Sequence, residues 1–182
     1  MIINNLDDLF NSLEFNNNKN NINSIKNYVG DDWKKIIEYI KNRDNNRDKN
    51  DEENKENNYI ISENDNYKKI LINSNKNFDM YLIIWNSKSK SKIHDHPKSC
   101  IMKILIGELT EEVYLNIKIR NQDKSFTNKA LYLHTNKLNE NNVIKRSNTK
   151  ILHKIINNSI EQCISLHIYS EPNFISNSYE LF

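Results

Sequence analysis

The sequence predicts a mainly β protein, a small barrel or sandwich carrying helices at its N-terminal end. Three observations support this. From Tyr67 onward the chain runs as short segments rich in Ile, Leu, Tyr and Val, broken by Asn, Ser and Lys. No helical period separates those segments, which favours a β-rich core over alternating strands and helices. Before Tyr67, apolar residues recur instead at helix spacing.

The elements follow in order. Leu6, Leu9, Phe10 and Leu13 mark a first helix, and Trp33, Ile36, Ile37 and Ile40 mark a second. Asp31 and Asp32 offer an N-cap or a first-turn charge to the second, and the Asn-rich run from Asn16 reads as the separator. Residues 1–41 are thus expected as a helical preface packed on the β domain. Asn42 to Asn58 has no apolar residue and charges of both signs, which predicts a flexible polar loop. The β core is expected over 67–172, with strands in KKILI, FDMYLIIW, SKIHDH, CIMKILI, TEEVYLNIKI, ALYLH, NVIKR, ILHKII and QCISLHIYS. A chain of 182 residues fits one domain with a full core.

Composition narrows the function. A formal charge of +2, with Lys and Glu spread along the chain, leaves no basic stripe for nucleic acid. No run approaches the roughly 20 apolar residues of a membrane span, and the start has no basic, apolar leader. Two cysteines make no disulfide framework, so a reducing cytoplasmic setting and a monomer are the expectations. With only two Gly and two Pro, abundant Asn must form many of the turns.

The five histidines carry the chemistry. His94 and His96 flank Asp95, and on a strand residues i and i+2 share a face, so their imidazoles project together. Cys100 follows His96 after three residues, and Gly107 follows Cys100 after six. This resembles the first cupin motif, with Lys88 standing where that motif has its leading glycine. His153, with Asn157 four positions on, resembles the second cupin motif. Three imidazoles suit iron, zinc or copper, so they do not choose the metal by themselves. Ser165, His167 and Tyr169 share one strand face opposite Leu166 and Ile168, and such a polar row in a barrel interior needs partners or a site to serve. His134 reads as a strand-end residue, Cys163 as interior, and Asp95 as pointing away from the metal.

Where many cupins have a carboxylate, this chain has Cys100, and that change resembles the cysteine dioxygenase family. The family reads SIHDH, CxxK, an LxG turn, LH with a hydrophobic pair, and SLHxYSPP. This chain has KIHDHPKSCIMKILIGEL, ILHKIINNS and CISLHIYSEP, with Trp85 nine residues before the first histidine. The resemblance runs from about Tyr67 to Pro172. It implies a cupin jelly-roll holding Fe(II) on His94, His96 and His153. With O2 as co-substrate, the implied reaction converts L-cysteine to cysteine sulfinic acid, a step of cysteine catabolism. It further implies a thioether crosslink between Cys100 and Tyr169, with His167 bonded to the Tyr169 hydroxyl and Ser165 orienting His167. Tyr67, Lys69 and Ser91 are implied around the substrate.

Four departures accompany the resemblance. Lys69 stands where the family has arginine, and a lysine cannot make arginine's planar two-pronged contact. Glu171 replaces a proline associated with a cis bond, so a trans bond is expected. The stretch from His96 to Cys100 is one residue shorter than in the animal enzymes, which would displace Cys100. The family's last strands have no counterpart, which would leave the pocket more open. Lys69 keeps other small thiols, 3-mercaptopropionate or cysteamine, as alternatives. A zinc cupin and a degenerate binding module stand as readings from other classes.

Overall fold

The computed structural model describes residues 1–45, 59–96, 98–147 and 150–182. The described chain forms two compact units, 1–60 and 61–182. Most of the polar loop expected over 42–58 lies outside the described residues; its first residues are the end of a helix.

The first unit holds three helices, α1 (Leu6–Asn11), α2 (Asn18–Asn27) and α3 (Trp33–Asn45). The sequence pattern showed two of them. The Asn-rich run expected to separate them instead opens α2, because Asn17 caps it by accepting from the Asn20 amide. Ile25 is fully buried and Asn21 nearly so, which gives α2 an inward face despite its polar composition. Asp32 is not spent as a helix cap. Its carboxylate accepts from the Leu6 amide at 2.7 Å and the Tyr28 hydroxyl at 2.7 Å, tying the start of the unit to the residues before α3.

The second unit is built on two antiparallel sheets rather than a closed barrel. The strands are β1 (Ile60–Glu63), β2 (Tyr67–Ser74), β3 (Asp79–Trp85), β4 (Ile93–His94), β5 (Cys100–Ile106), β6 (Leu109–Arg120), β7 (Phe126–Leu138), β8 (Val143–Arg146), β9 (Ile151–Ile156), β10 (Cys163–Tyr169) and β11 (Ser178–Tyr179). One sheet has the order β1-β2-β3-β10-β5-β8 and the other β11-β4-β9-β6-β7. The unit is mainly β, with its strands divided between two sheets. Ile83, Trp85, Met102 and Ile104 from the first sheet meet Leu109, Leu138 and Ile155 from the second in one buried cluster. β3 and β10 are buried along almost their whole length; β3 is near-continuously apolar, while β10 also buries Ser165 and His167.

Turn chemistry follows the composition. Asn16, Asn141 and Asn173 take positive φ. Lys88, at the position of the motif's leading glycine, has φ 55°, so the left-handed backbone is retained without the glycine. Gly107 makes the step from β5 to β6 at φ 83°, and a Cβ there would lie 2.6 Å from the Cys163 Sγ. All described peptide bonds are trans, Ser170–Glu171 included.

Candidate metal centre

The short strand β4 sits between β9 and β11, and its register sets His94 directly opposite His153. His96 lies just past the end of β4, so it joins the pair from a loop rather than from a strand face. The three rings pack with centroids 4.2 to 5.1 Å apart. One ligand nitrogen from each lies within 4.8 Å of the others. Burial lowers the pKa of all three; His96 and His153 are driven well below the usual histidine range, with the neighbouring imidazoles adding to the effect. Neutral rings are what a metal requires.

The hydrogen bonds behind the rings decide which nitrogens are bare. His94 Nδ1 donates to the Lys92 carbonyl at 2.9 Å, and His153 Nδ1 donates to Glu111 Oε1 at 2.8 Å. Each neutral ring has one proton, so both Nε2 atoms carry lone pairs. These face each other at 3.1 Å. His96 Nδ1 is buried with no hydrogen-bond partner. Two opposed lone pairs beside the His96 ring form an electron-rich focus that a cation satisfies, so the residues fit a metal ion held by three imidazoles.

Glu111 is the main feature that the sequence reading missed. It is fully buried and also accepts from Arg146 Nε at 2.8 Å, from Arg146 Nη2, and from Asn136 Nδ2 at 2.9 Å. Its signal was present in the sequence: it shares a strand parity with Leu109 and Val113, which puts a carboxylate on a buried apolar face. Asn157, of the second motif, has a structural role. It is fully buried and donates to the carbonyls of Asn86 and Glu161, which holds the turn after β9 in place.

The second set of expected residues gathers on β10 and its neighbours. Tyr169 pairs with Cys100 in register, and the Tyr169 hydroxyl acts to lower the pKa of the Cys100 thiol. The shorter stretch after His96 therefore leaves Cys100 opposite Tyr169. Cys100 is a free thiol, its pKa pushed up to about 12 by burial and eased back by Lys69. Burial likewise raises the Tyr169 hydroxyl well above its ordinary value. Trp85 Nε1 donates to Ser165 Oγ at 2.9 Å, and Ser165 Oγ lies 2.8 Å from His167 Nε2. His167 stacks at 13° on Tyr169 but does not bond its hydroxyl, because its Nε2 is engaged by Ser165 and its Nδ1 has no partner. The expected His167–Tyr169 hydrogen bond is thus replaced by stacking.

Lys69 projects from β2 with its ammonium 3.9 Å from the Tyr81 ring centroid and 4.5 Å from that of Tyr169. Burial lowers its pKa, while Cys100 and Asp79 act to raise it. Tyr67 packs its ring 5.0 Å from that of Trp85. Ser91 reaches the site, but its hydroxyl is occupied: it accepts from the Ile155 amide at 3.0 Å and donates to the Lys92 carbonyl at 2.9 Å. Cys163 is interior, under Gly107, and His134 is exposed on β7.

A cavity of about 450 Å3 opens on these groups, lined among others by His94, His153, Lys69, His167 and Tyr169. Phe174, Ser176 and Ser178 form part of its wall. The segment bearing them is pinned at both ends. The Asn173 amide donates to Asp79 at 2.8 Å. Asn177 and the Tyr179 hydroxyl donate to Asp95. Asp95, between the two histidines, is the post for this strap, and among the described residues it makes no salt bridge. The expected open pocket is walled on this side.

The chain was compared with known proteins. The family described as cysteine dioxygenase type I matches residues 37–181. Cysteine dioxygenase type 1 of Homo sapiens is 30% identical over 107 residues, 58% of this chain and 50% of the relative. That of Rattus norvegicus is 28% identical over the same shares. The chain spans about half the length of the curated relatives it matches. Among solved structures, oxalate decarboxylase from Bacillus subtilis has a TM-score of 0.49 at 15% identity, over 65% of this chain and 29% of the other. The CENP-C cupin domain of Drosophila melanogaster has a TM-score of 0.46 at 11% identity, over 62% and 76%.

Proposed function

This chain belongs to the cysteine dioxygenase type I family, and on that premise we propose that it is an iron-dependent thiol dioxygenase whose first substrate is L-cysteine. The reaction is RSH + O2 → RSO2H: both oxygen atoms end on sulfur and no other reductant is consumed. The observation that carries the reading is the facing pair of bare Nε2 atoms of His94 and His153 beside His96, in a cavity that also holds a buried ammonium. Fe(II) on the three histidines would supply thiolate coordination and electron transfer to O2, which no side chain here provides.

The chain's own residues hold the substrate and shape its surroundings. Lys69 pairs with the substrate carboxylate; the two ring faces beneath its ammonium stand in for lost water and fix its position. Trp85 donates to the Ser165 oxygen, and the Ser165 hydroxyl shares a hydrogen bond with His167 Nε2, which fixes the plane of the imidazole in the cavity wall. A thioether crosslink between Cys100 and Tyr169 is part of this proposal, supported by their pairing in register. Forming it replaces the S–H and one ring C–H by a C–S bond and needs a two-electron oxidant, which O2 supplies. Two free cysteines accord with a reducing, cytoplasmic setting, and among the described residues no helix is long and apolar enough to cross a membrane.

Lys69 favours a second reading, a dioxygenase for another carboxylate-bearing thiol such as 3-mercaptopropionate. Cysteamine has no carboxylate and would leave the buried ammonium unpaired. The test is anaerobic loading with Fe(II), followed by O2 uptake and mass-spectrometric detection of sulfinate from cysteine, 3-mercaptopropionate and cysteamine. One sulfinate per O2, fastest with cysteine, is the expected result. Preference for 3-mercaptopropionate replaces cysteine as substrate. Iron-loaded protein that consumes no O2 with any thiol overturns the assignment, and tight zinc retention without turnover points to the zinc or binding-module reading.

A further inference from the structure

We propose that Glu111 is a positioning residue that aims His153 at the metal, and that its ion pair with Arg146 exists for this rather than for stability. The inference rests on the reading of His94, His96 and His153 as a metal site. Glu111 receives donors from three strands. Asn136 lies directly opposite it on β7, Arg146 reaches it from β8, and His153 reaches it from β9. In the β6–β9 ladder Glu111 faces Ile155, and His153 is the next residue on the same face. β8 belongs to the other sheet, so one carboxylate joins both sheets to a single imidazole.

The consequence is chemical. Both carboxylate oxygens are held by Arg146, so the carboxylate cannot rotate away, and Oε1 is presented squarely to His153 Nδ1. An acceptor-only group there keeps the ring proton on Nδ1 and leaves Nε2 bare. With no such acceptor, the proton can sit on Nε2, directly between His153 and His94, where the metal belongs. An ion pair of this burial is a poor source of stability, since its desolvation offsets its attraction. Its cost is accounted for if it serves to orient the imidazole.

Replacing the pair together separates the two roles. Glu111→Met with Arg146→Met keeps volume and removes both charges, a change that buried pairs commonly tolerate. The metal-free double variant is expected to melt near the wild type. Its affinity for Fe(II), read anaerobically by competition with a chromophoric chelator, is expected to fall roughly 10–100-fold. Nitrogen-15 NMR of the ring nitrogens in metal-free wild type is expected to show His153 protonated on Nδ1 alone, and the double variant a mixture of tautomers. A folded double variant with wild-type affinity overturns the inference. So does a wild-type His153 protonated on Nε2, a result that stands even if the double variant does not fold. A wild-type protein that takes up no metal while His153 shows the Nδ1–H form refutes the metal-site reading instead.

Discussion

Gly107→Ala tests the link between the two sheets. Gly107 has φ 83°, and an alanine in the left-handed region costs about 1–2 kcal/mol. Its Cβ would meet the Cys163 Sγ at 2.6 Å and the Cys163 Cβ at 3.3 Å. The first distance is roughly 1 Å inside carbon contact range, and overpacking of that kind costs about 1–3 kcal/mol. Alanine stiffens the unfolded chain and returns about 0.4–1 kcal/mol. The net expectation is a loss of about 2–4 kcal/mol, read as a lower urea midpoint at constant slope. Cys163→Ala alone removes a buried sulfur and costs about 1–2 kcal/mol. In the double variant the sulfur clash is gone and only the backbone cost and the 3.3 Å contact remain. It should therefore be more stable than the sum of the singles by about 1–2 kcal/mol. Strict additivity, or a Gly107→Ala loss below about 0.5 kcal/mol, refutes the steric argument.

Three further outcomes are expected. His94, His96, His153 and His167 all have depressed pKa values in the metal-free fold, that of His167 falling to about 3. Unfolding therefore takes up protons below about pH 6.5, and stability present above that pH is lost as pH falls. Each histidine contributes up to about 1.4 kcal/mol per pH unit. His167→Gln should reduce the slope by up to one proton, and a urea midpoint constant from pH 7.5 to 5 contradicts this. Lys69→Met should lower kcat/KM for cysteine by about 10–100-fold, the weight of one charge-assisted hydrogen bond, and leave cysteamine turnover unchanged; equal losses on both would remove Lys69 from carboxylate binding. Asp95→Ala removes three hydrogen bonds to the strap, so amide exchange of Asn177 should accelerate by about 10-fold or more while β3 and β10 stay protected. Unchanged exchange at Asn177 means that Asp95 does not hold the strap.

What the sequence revealed depended on period. The strands that became β2, β3, β5, β9 and β10 were visible because their apolar residues are dense and bounded by Asn and Ser. β7 runs from Phe126 to Leu138, far beyond ALYLH, because its register partner β6 supplies hydrogen bonds that a polar sequence does not announce. β11 has only two residues and exists through its pairing with β4. The helix α2 was hidden because its stabilising features are an asparagine cap and two inward residues rather than an apolar stripe. At the site, the i, i+2 spacing paired His94 with His96, and the resemblance to the second cupin motif added His153. Glu111, Arg146 and Asp95 act through contacts between 25 and 84 residues apart in sequence, which no local pattern encodes. The His167–Tyr169 bond, implied by the family resemblance, is not formed here, because Ser165 engages His167 Nε2 and the ring stacks on Tyr169.

The register of β4 against β9 has a consequence for how the chain comes together. His94 meets His153 only after 59 residues have been brought back on themselves, and β3 meets β10 across a still longer span. Loops of that length are entropically costly to close, so such contacts form late and slowly. A nascent chain emerging through β7 already displays the His94–His96 pair and the buried-type thiol Cys100, with neither the third imidazole nor the strand that covers the sulfur. The metal cannot seed this fold. It can only reward a fold already reached, and the long wait for β9 and β10 is the interval in which the chain is open to aggregation and its thiol to oxidation.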